Sequence, residues 1–404
     1  MRGLINELIL YDVKFTIVLP EIESCAEIES WRELFPDWSG DAWKINQKQL
    51  AFIEREGPVD ANEFRYFWNS QMTESLKEWL QTTESSQQVV WSNIPELTGN
   101  ILQHVRPAKG AAYNALLINS CYFLDSPVHP KTGVNNGPVD KAINWWRQVE
   151  GAYRADIAGF CCDGNRFQFF EGVQTSHSQE IVEEITKKSA VFRFGYSESE
   201  LDSIHYGNIC KGAMSVIKKN LAGRKLIVFP NRITDPDYTN GHVFLEAASQ
   251  LDPEKWVFYA TNPGEKYITH KELEDKYPNY LRLVHGTPSR EEYVAVLAMA
   301  DMHASLFVEE ANGGCACREA MHLRSMPLMP YANEYTRLTD ADYPGYIDYS
   351  GTTVDPKDIV DAVMRLENHQ FDEFQFNHEV GSFRMSAQEV IKQLSERGIN
   401  LQLL

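Results

Sequence analysis

Short apolar runs alternate with amphipathic segments throughout the C-terminal half of the chain. Residues 241–251 place apolar side chains at helical spacing, and Ser289 with Glu292 forms the sequence pattern of a capping box. The apolar runs are too short for helices and are mostly β-branched or aromatic. They cover residues 226–229, 256–259, 281–284, 302–307 and 327–330. This order predicts successive βα units with a parallel sheet.

The N-terminal half carries the same kinds of segment with less regular spacing. Helices are predicted over residues 63–80 and 142–153. Strands are predicted over residues 14–19, 89–91, 116–123 and 157–160. This half is therefore predicted to be a second α/β layer.

The length of the chain indicates more than one domain, because 404 residues exceed the usual size of one hydrophobic core. We predict an N-terminal domain over residues 1–195, a linker over residues 196–224 and a C-terminal domain over residues 225–370. A helical segment over residues 371–404 closes the chain, with its helix at residues 387–397.

Residues 305–321 join an apolar strand, an acidic loop and a helix. Gly313 and Gly314 let the backbone approach a ligand closely, and the first N–H groups of the next helix can then bind a diphosphate. Glu310 and Glu319 lie on either side of the glycines, and ionised carboxylates accept hydrogen bonds from sugar hydroxyls. The alternative is a surface loop followed by an ordinary amphipathic helix.

This motif resembles the acidic motif of retaining GT-B glycosyltransferases, in which two glutamates flank a Gly-rich turn. The resemblance covers about residues 225–370 and is to the donor domain of glycosyltransferase family 4. It implies that Glu310 touches the donor sugar and that Glu319 binds the ribose. Eight residues separate these glutamates, one more than in the family.

A second motif follows the first strand of the same domain. The family has an arginine there and then a Lys-Gly pair that opens the next helix, and the resemblance implies that they hold the donor diphosphate. Arg232 and Gly241 match this pattern, whereas Asn240 stands where the family has the lysine. Arg318 is a candidate for the missing positive charge, and a solvated helix arginine is the alternative.

The resemblance implies an α/β fold of the GT-B type, with two Rossmann-like domains that face each other across a cleft and a final segment that crosses back. It also implies a nucleotide-sugar co-substrate, with a UDP-sugar as the expected donor, and no bound cofactor or metal. Asn231 and Asn262 follow predicted strands, where such sheets bind ligands, so they join the predicted donor site. Each is also an ordinary turn residue.

Catalytic and acceptor-orienting groups are expected from the N-terminal domain. Asp125 and His129 lie in a loop with proline and glycine that follows a predicted strand. A carboxylate or an imidazole there could take the proton of an acceptor hydroxyl. Asp163 follows another predicted strand, and a turn role is the alternative for all three. In a retaining reaction the leaving phosphate can accept the proton instead.

The composition of the chain limits the cellular location and the binding partners that we expect for the protein. The seven cysteines lack metal or disulfide spacing and no apolar run approaches membrane-spanning length, which predicts a soluble protein of a reducing cytoplasm. The net charge of −19 opposes general nucleic-acid binding. The charge is uneven, however, because residues 101–225 carry +3 while residues 1–100 carry −9 and residues 226–404 carry −13.

The basic middle segment is the reason to consider DNA as the acceptor. Lys218 and Lys219 lie in it near the predicted domain junction, and we predict that they guide a polyanionic acceptor. The alternative is a solvated linker face. The divergent N-terminal half and the altered Lys-Gly site also resemble phage-type glycosyltransferases, some of which modify hydroxymethylated cytosine in DNA.

Double-stranded DNA with hydroxymethylated bases is therefore the predicted acceptor, and the host cytoplasm is the predicted location for a phage protein. A small molecule or a glycan is the alternative acceptor. The alternative function is a nucleotide-binding or protein-interaction module whose sugar site has decayed, since the missing lysine and the altered glutamate spacing fit it.

Overall fold

The chain divides into two compact units, which are Met1–Arg193 together with Ser386–Leu404, and Phe194–Met385. The structure is a computed structural model. It describes residues 17–20, 42–45, 87–92, 114–121, 139–193, 195–233, 239–262, 268–284, 288–308, 314–351, 353–377 and 381–398.

The first unit is built on a parallel sheet. Its strands are β1 (Ile17–Pro20), β2 (Ala42–Ile45), β3 (Gln87–Ser92), β4 (Asn114–Cys121), β5 (Ile157–Phe160) and β6 (Ser189–Val191). The last four form one sheet in the order β3-β4-β5-β6, and β1 pairs with β2. The four strands predicted in this half overlap β1, β3, β4 and β5.

Helices cover the described part of this sheet. They are α1 (Val139–Arg154), α2 (Asp163–Ser176) and α3 (Gln179–Lys187). Trp145, Phe160 and Phe169 are fully buried and form the centre of this core. The helix predicted over residues 142–153 lies within α1, whereas the one predicted over residues 63–80 lies outside the described residues.

The second unit contains a five-stranded parallel sheet. The strands of the whole unit are β7 (Lys225–Arg232), β8 (Trp256–Asn262), β9 (Met302–Ala304), β10 (Met326–Pro330), β11 (Tyr346–Ile347), β12 (Tyr349–Ser350) and β13 (Thr353–Val354). The sheet order is β11-β10-β9-β7-β8, while β12 and β13 form a separate antiparallel pair. Residues 226–229 of β7 are all buried, as expected for a central parallel strand.

The remaining helices follow the strands in the βα order that the sequence predicted. They are α4 (Glu198–Tyr206), α5 (Asn208–Leu221), α6 (Gly241–Ser249), α7 (His270–Lys276), α8 (Arg290–Met299), α9 (Cys315–His322), α10 (Pro356–Leu366) and α11 (Phe383–Glu396). The last of them begins in the second unit and continues into the first.

The strand predicted over residues 281–284 is not formed. Tyr280 makes a single bridge with Phe258 of β8, and the Leu281 N–H donates to the Phe258 carbonyl at 3.0 Å. Leu281 and Arg282 are only partly buried, so this run lacks the two buried faces of an inner strand. The prediction rested on an apolar pattern that Arg282 interrupts.

Residues 196–224, predicted as a linker, form α4 and α5, which pack against α8. Leu201, Cys210, Ile217 and Leu221 are buried in the core of the second unit. The last three recur at helical spacing, and this apolar stripe is the sequence signal for a packed helix.

The capping box predicted at the start of α8 is confirmed. Ser289 Oγ accepts the Glu292 N–H at 3.2 Å, and Glu292 Oε2 accepts the Ser289 N–H at 2.9 Å. Replacing Ser289 with alanine should lower the free energy of unfolding by about 1 kcal/mol, measured by urea denaturation. Ser289→Asp is the matched control because aspartate also caps; an equal loss in both variants would show that the cap is not the cause.

None of the described helices is both long and apolar enough to cross a membrane. In the same part of the chain, no three His, Cys, Asp or Glu side chains are grouped so that they could hold a metal ion.

Candidate functional site

The topology of the second unit's sheet identifies its ligand-binding edge. All five strands are parallel, so their carboxyl ends lie at one edge. The chain passes from β7 to β8 on one side and later to β9 on the other, so the strand order reverses between β7 and β9. Open α/β sheets bind ligands outside the carboxyl ends at such a reversal. We call the carboxyl ends of β7 and β9 the switch point.

Asn231 and Ser305 meet at the switch point. Asn231 Nδ2 donates to Ser305 Oγ at 3.5 Å, and Ser305 Oγ lies 2.9 Å from the Tyr335 hydroxyl. Ser305 and Tyr335 are fully buried, whereas Asn231 is partly exposed. Asn231 was predicted for the donor site; Ser305 and Tyr335 were not, because the sequence does not indicate that β7, β9 and the segment after β10 meet.

Gly314 precedes α9 beside Ser305. Its φ of 54° lies in the region that favours glycine, and a methyl group added to it would lie 3.3 Å from Ser305 Oγ. The first N–H groups of α9 have no intrahelical acceptors and carry the positive end of the helix dipole. This helix start therefore favours an anion such as a phosphate.

The start of α6 lies at the same carboxyl edge of the sheet. Asn240 has a φ of 54°, is buried, and donates from Nδ2 to the Leu306 carbonyl at 2.9 Å. A methyl group on Gly241 would lie 2.9 Å from Ile233 Cγ1 and 3.2 Å from Phe229 Cε1. Glycine at 241 thus lets α6 begin close against β7. Asn240 joins that start to the segment after β9 and carries no charge.

Arg232 ends β7 and is exposed. The register between β7 and β8 shifts after Phe229, so that Arg232 pairs with Asn262. Both residues therefore lie at the carboxyl edge, as predicted from their position after apolar runs. A guanidinium there can present its planar fork of donors to phosphate oxygens.

A buried polar network around His303 of β9 lies next to the switch point. His303 Nδ1 lies 3.1 Å from Ser325 Oγ and His303 Nε2 lies 3.3 Å from Cys317 Sγ. Burial lowers the pKa of His303 to about 3 and raises the pKa of Cys317 to about 12. Both side chains are therefore neutral at physiological pH, which suits them to fixing α9 against β9 and not to proton transfer.

Arg318 is buried, so the solvated alternative given for it is wrong. Its Nη2 lies 3.8 Å from Glu334 Oε2, and both side chains are 1% exposed. A charge at this depth requires a charged or hydrogen-bonded partner. Arg318 therefore belongs to an internal ion pair. It does not replace the positive charge of the family's lysine, which is missing at Asn240.

Glu319 is held by the first turn of α8. Arg290 donates from Nη2 to Glu319 Oε1 at 2.5 Å and from Nη1 to Oε2 at 3.3 Å. Burial, followed by the nearby charge of Glu319, raises the pKa of Tyr293 well above its ordinary value. Arg290 was not predicted from the sequence, since 29 positions separate it from Glu319.

Lys218 and Lys219 do not lie near these residues. They occupy the last turn of α5, and β7 begins a few residues later at Lys225. They are therefore at the amino edge of the sheet, and a strand of this length separates the two edges by roughly 20 Å. The predicted donor and acceptor residues of this unit are not brought together.

The other predicted residues fall in different parts of the chain. Asp163 lies in the first unit, where its carboxylate pairs with Arg166 at 2.8 Å and with Arg193. Its predicted alternative as a local structural residue fits these contacts. The predicted residues Asp125, His129, Glu310 and Gly313 lie outside the described residues.

No protein-family profile and no curated protein sequence matches the chain. Several solved structures do. The N-terminal domain of trehalose-6-phosphate phosphatase from Candida albicans matches with a TM-score of 0.60 and 13% identity, covering 97% of this chain and 93% of that one. HepE from Anabaena, in complex with UDP and glucose, matches with a TM-score of 0.57 and 12% identity, covering 94% and 99%.

A third match is a UDP-forming α,α-trehalose-phosphate synthase from Burkholderia xenovorans in complex with glucose-6-phosphate. Its TM-score is 0.50 at 13% identity, and the match covers 85% of this chain and 77% of that one. Identities this low establish the fold alone. The chain has the GT-B fold, with two Rossmann-like α/β domains, as the sequence predicted.

Proposed function

We propose that the protein is a glycosyltransferase that moves a sugar from a UDP-sugar to a hydroxyl acceptor, with its donor site at the switch point of the second unit. The observation that carries the proposal is the convergence of two helix starts, at Gly241 and Gly314, on the carboxyl ends of β7 and β9. HepE has been solved with UDP-glucose, and matching folds support the same donor here.

The diphosphate is assigned to the start of α9 and to Arg232. The N–H groups after Gly314 supply partial positive charge, and Arg232 supplies the full charge at the end of β7. Asn240 holds the start of α6 and adds none. Arg232 therefore contributes a larger share of the electrostatic stabilisation of the diphosphate than it would if position 240 were a lysine, as in the family.

Glu319 is assigned to the ribose hydroxyls, and Glu310 to the donor sugar, as the resemblance implies. In the transfer, the bond between the sugar's anomeric carbon and the diphosphate breaks, and a bond to the acceptor oxygen forms. The acceptor proton passes to the leaving diphosphate, or to a base for which Asp125 and His129 remain the candidates.

We propose a small carbohydrate or another small hydroxyl compound as the acceptor. The trehalose-phosphate synthase that shares this fold was solved with glucose-6-phosphate, which supports an acceptor of that size. DNA with hydroxymethylated bases, which the sequence analysis predicted as the acceptor, becomes the alternative. Its charge argument is weakened, because Lys218 and Lys219 lie at the edge of the sheet opposite the donor site.

Reversing Lys218 and Lys219 to glutamate tests the acceptor class. We expect turnover with a small acceptor to be unchanged and only weakly dependent on salt, because no bound counterions are released. Turnover is measured as UDP release over a salt series in both proteins. Turnover that requires hydroxymethylated DNA, falls steeply with salt and is lost in the reversed variant would make DNA the acceptor.

A thermal-shift panel tests the donor. At 100 times its dissociation constant a ligand adds about 2.7 kcal/mol of stability, so UDP and a UDP-sugar should raise the melting temperature. GDP- and ADP-sugars should raise it less. Stabilisation by none of these nucleotides would favour the alternative of a protein-interaction module whose sugar site has decayed.

A further inference from the structure

The contact between Glu319 and Arg290 is a two-point contact. Two guanidinium nitrogens of Arg290 meet the two carboxylate oxygens of Glu319, at 2.5 and 3.3 Å. A paired contact of this kind fixes the plane of the carboxylate as well as its position, which a single hydrogen bond does not. The Glu319 side chain is 12% exposed, so a small part of it remains accessible to a ligand.

Arg290 is itself held from two further directions. Its guanidinium lies 5.4 Å from the centre of the Tyr293 ring, and its Nε lies 3.6 Å from Glu200 of α4. The start of α8 is fixed by the capping box of Ser289, the preceding residue. Arg290 is thus a constrained donor and not a mobile surface side chain.

The remaining capacity of Glu319 points to its ligand. An ionised carboxylate offers about four lone-pair sites, of which Arg290 takes two. Arg290 also fixes the plane of the carboxylate, so a ligand hydroxyl that donates to one of the remaining sites has to approach in that plane.

We infer that Arg290 is the positioning residue that orients Glu319 for the ribose hydroxyls, and that this contact makes the site select ribonucleotides over nucleotides that lack these hydroxyls. The inference rests on the proposed function, because it assigns Glu319 to the ribose of the donor. It adds a specificity role for one residue of α8.

The test compares the binding of UDP and of 2′,3′-dideoxy-UDP by calorimetry. In the wild-type protein, UDP should bind about tenfold or more tighter, the value of a hydrogen bond to a charged group. In Arg290→Gln this ratio should fall to about threefold or less, because the carboxylate is no longer oriented. Arg290→Lys, which keeps the charge and loses the fork, should give an intermediate ratio.

A purely structural role for Arg290 predicts a different result, in which both nucleotides weaken equally and the ratio stays at its wild-type value. That outcome overturns the inference and leaves the proposed function intact. A wild-type protein that binds neither nucleotide overturns the proposed function, and the inference with it. Arg324→Gln removes an exposed ion pair with Asp372 and serves as the control; it should leave the ratio unchanged.

If Arg290→Gln does not fold, Arg290→Lys provides the measurement, because it keeps the charge and loses the two-point contact with Glu319. The nucleotide ratio should fall in this variant too, by less than in Arg290→Gln. An unchanged ratio in folded Arg290→Lys overturns the inference.

Discussion

Replacing Glu319 with glutamine is expected to weaken UDP binding by about 10- to 100-fold, the range for losing a hydrogen bond to a charged acceptor. The glutamine keeps the size of the side chain but loses the charge and one acceptor oxygen. Folding should be little affected, because the partner Arg290 is 37% exposed and water can solvate it. Isothermal titration calorimetry with UDP, alongside urea denaturation, measures both quantities.

Glu246→Gln is the matched control for this variant, since Glu246 is exposed on α6. It changes the same charge in the same unit, away from Glu319. UDP should bind this control as tightly as the wild type. Unchanged UDP affinity in a folded Glu319→Gln variant would contradict the ribose assignment and leave Glu319 as a structural partner of Arg290.

Replacing Arg232 with alanine should weaken the binding of UDP far more than the binding of uridine. The proposed partner of Arg232 is the diphosphate. Asn240 is uncharged and therefore adds no electrostatic stabilisation of the diphosphate. We expect a loss of about 10- to 100-fold for UDP and less than about twofold for uridine. Calorimetry with both ligands measures the difference.

Arg224→Ala is the matched control, because Arg224 lies beside the opposite end of the same strand, with its guanidinium on the Leu221 carbonyl. It removes the same charge from the amino edge of the sheet. Its UDP affinity should equal that of the wild type. Equal losses of UDP and uridine binding in Arg232→Ala would indicate that Arg232 stabilises the strand end and does not contact phosphate.

Much of the fold could be predicted because its signals are local. A fully buried parallel strand is a short apolar run, and β7, β8 and β10 were each predicted from one. The cap of α8 was predicted from two residues three positions apart. The two helices within residues 196–224 were missed, because their amphipathic stripe was interpreted as the charged surface of a linker.

The site could be predicted only in part, because its contacts join residues that are distant in sequence. Asn231, Arg232 and Gly241 could be proposed as donor-site candidates because strand ends and helix starts are marked in the sequence. The contact of Asn231 with Ser305 spans 74 positions, and no local pattern indicates it. The role of Arg290 depends in the same way on how α8 packs beside α9.

The most direct test of the donor site is a crystal structure of the protein with UDP. We expect the diphosphate at the switch point, with its oxygens in hydrogen-bond reach of the first N–H groups of α9 and of Arg232. We also expect a ribose hydroxyl to donate to Glu319. UDP bound elsewhere on the protein, or at the switch point with its phosphates away from both α9 and Arg232, would show that the proposed donor site is wrong.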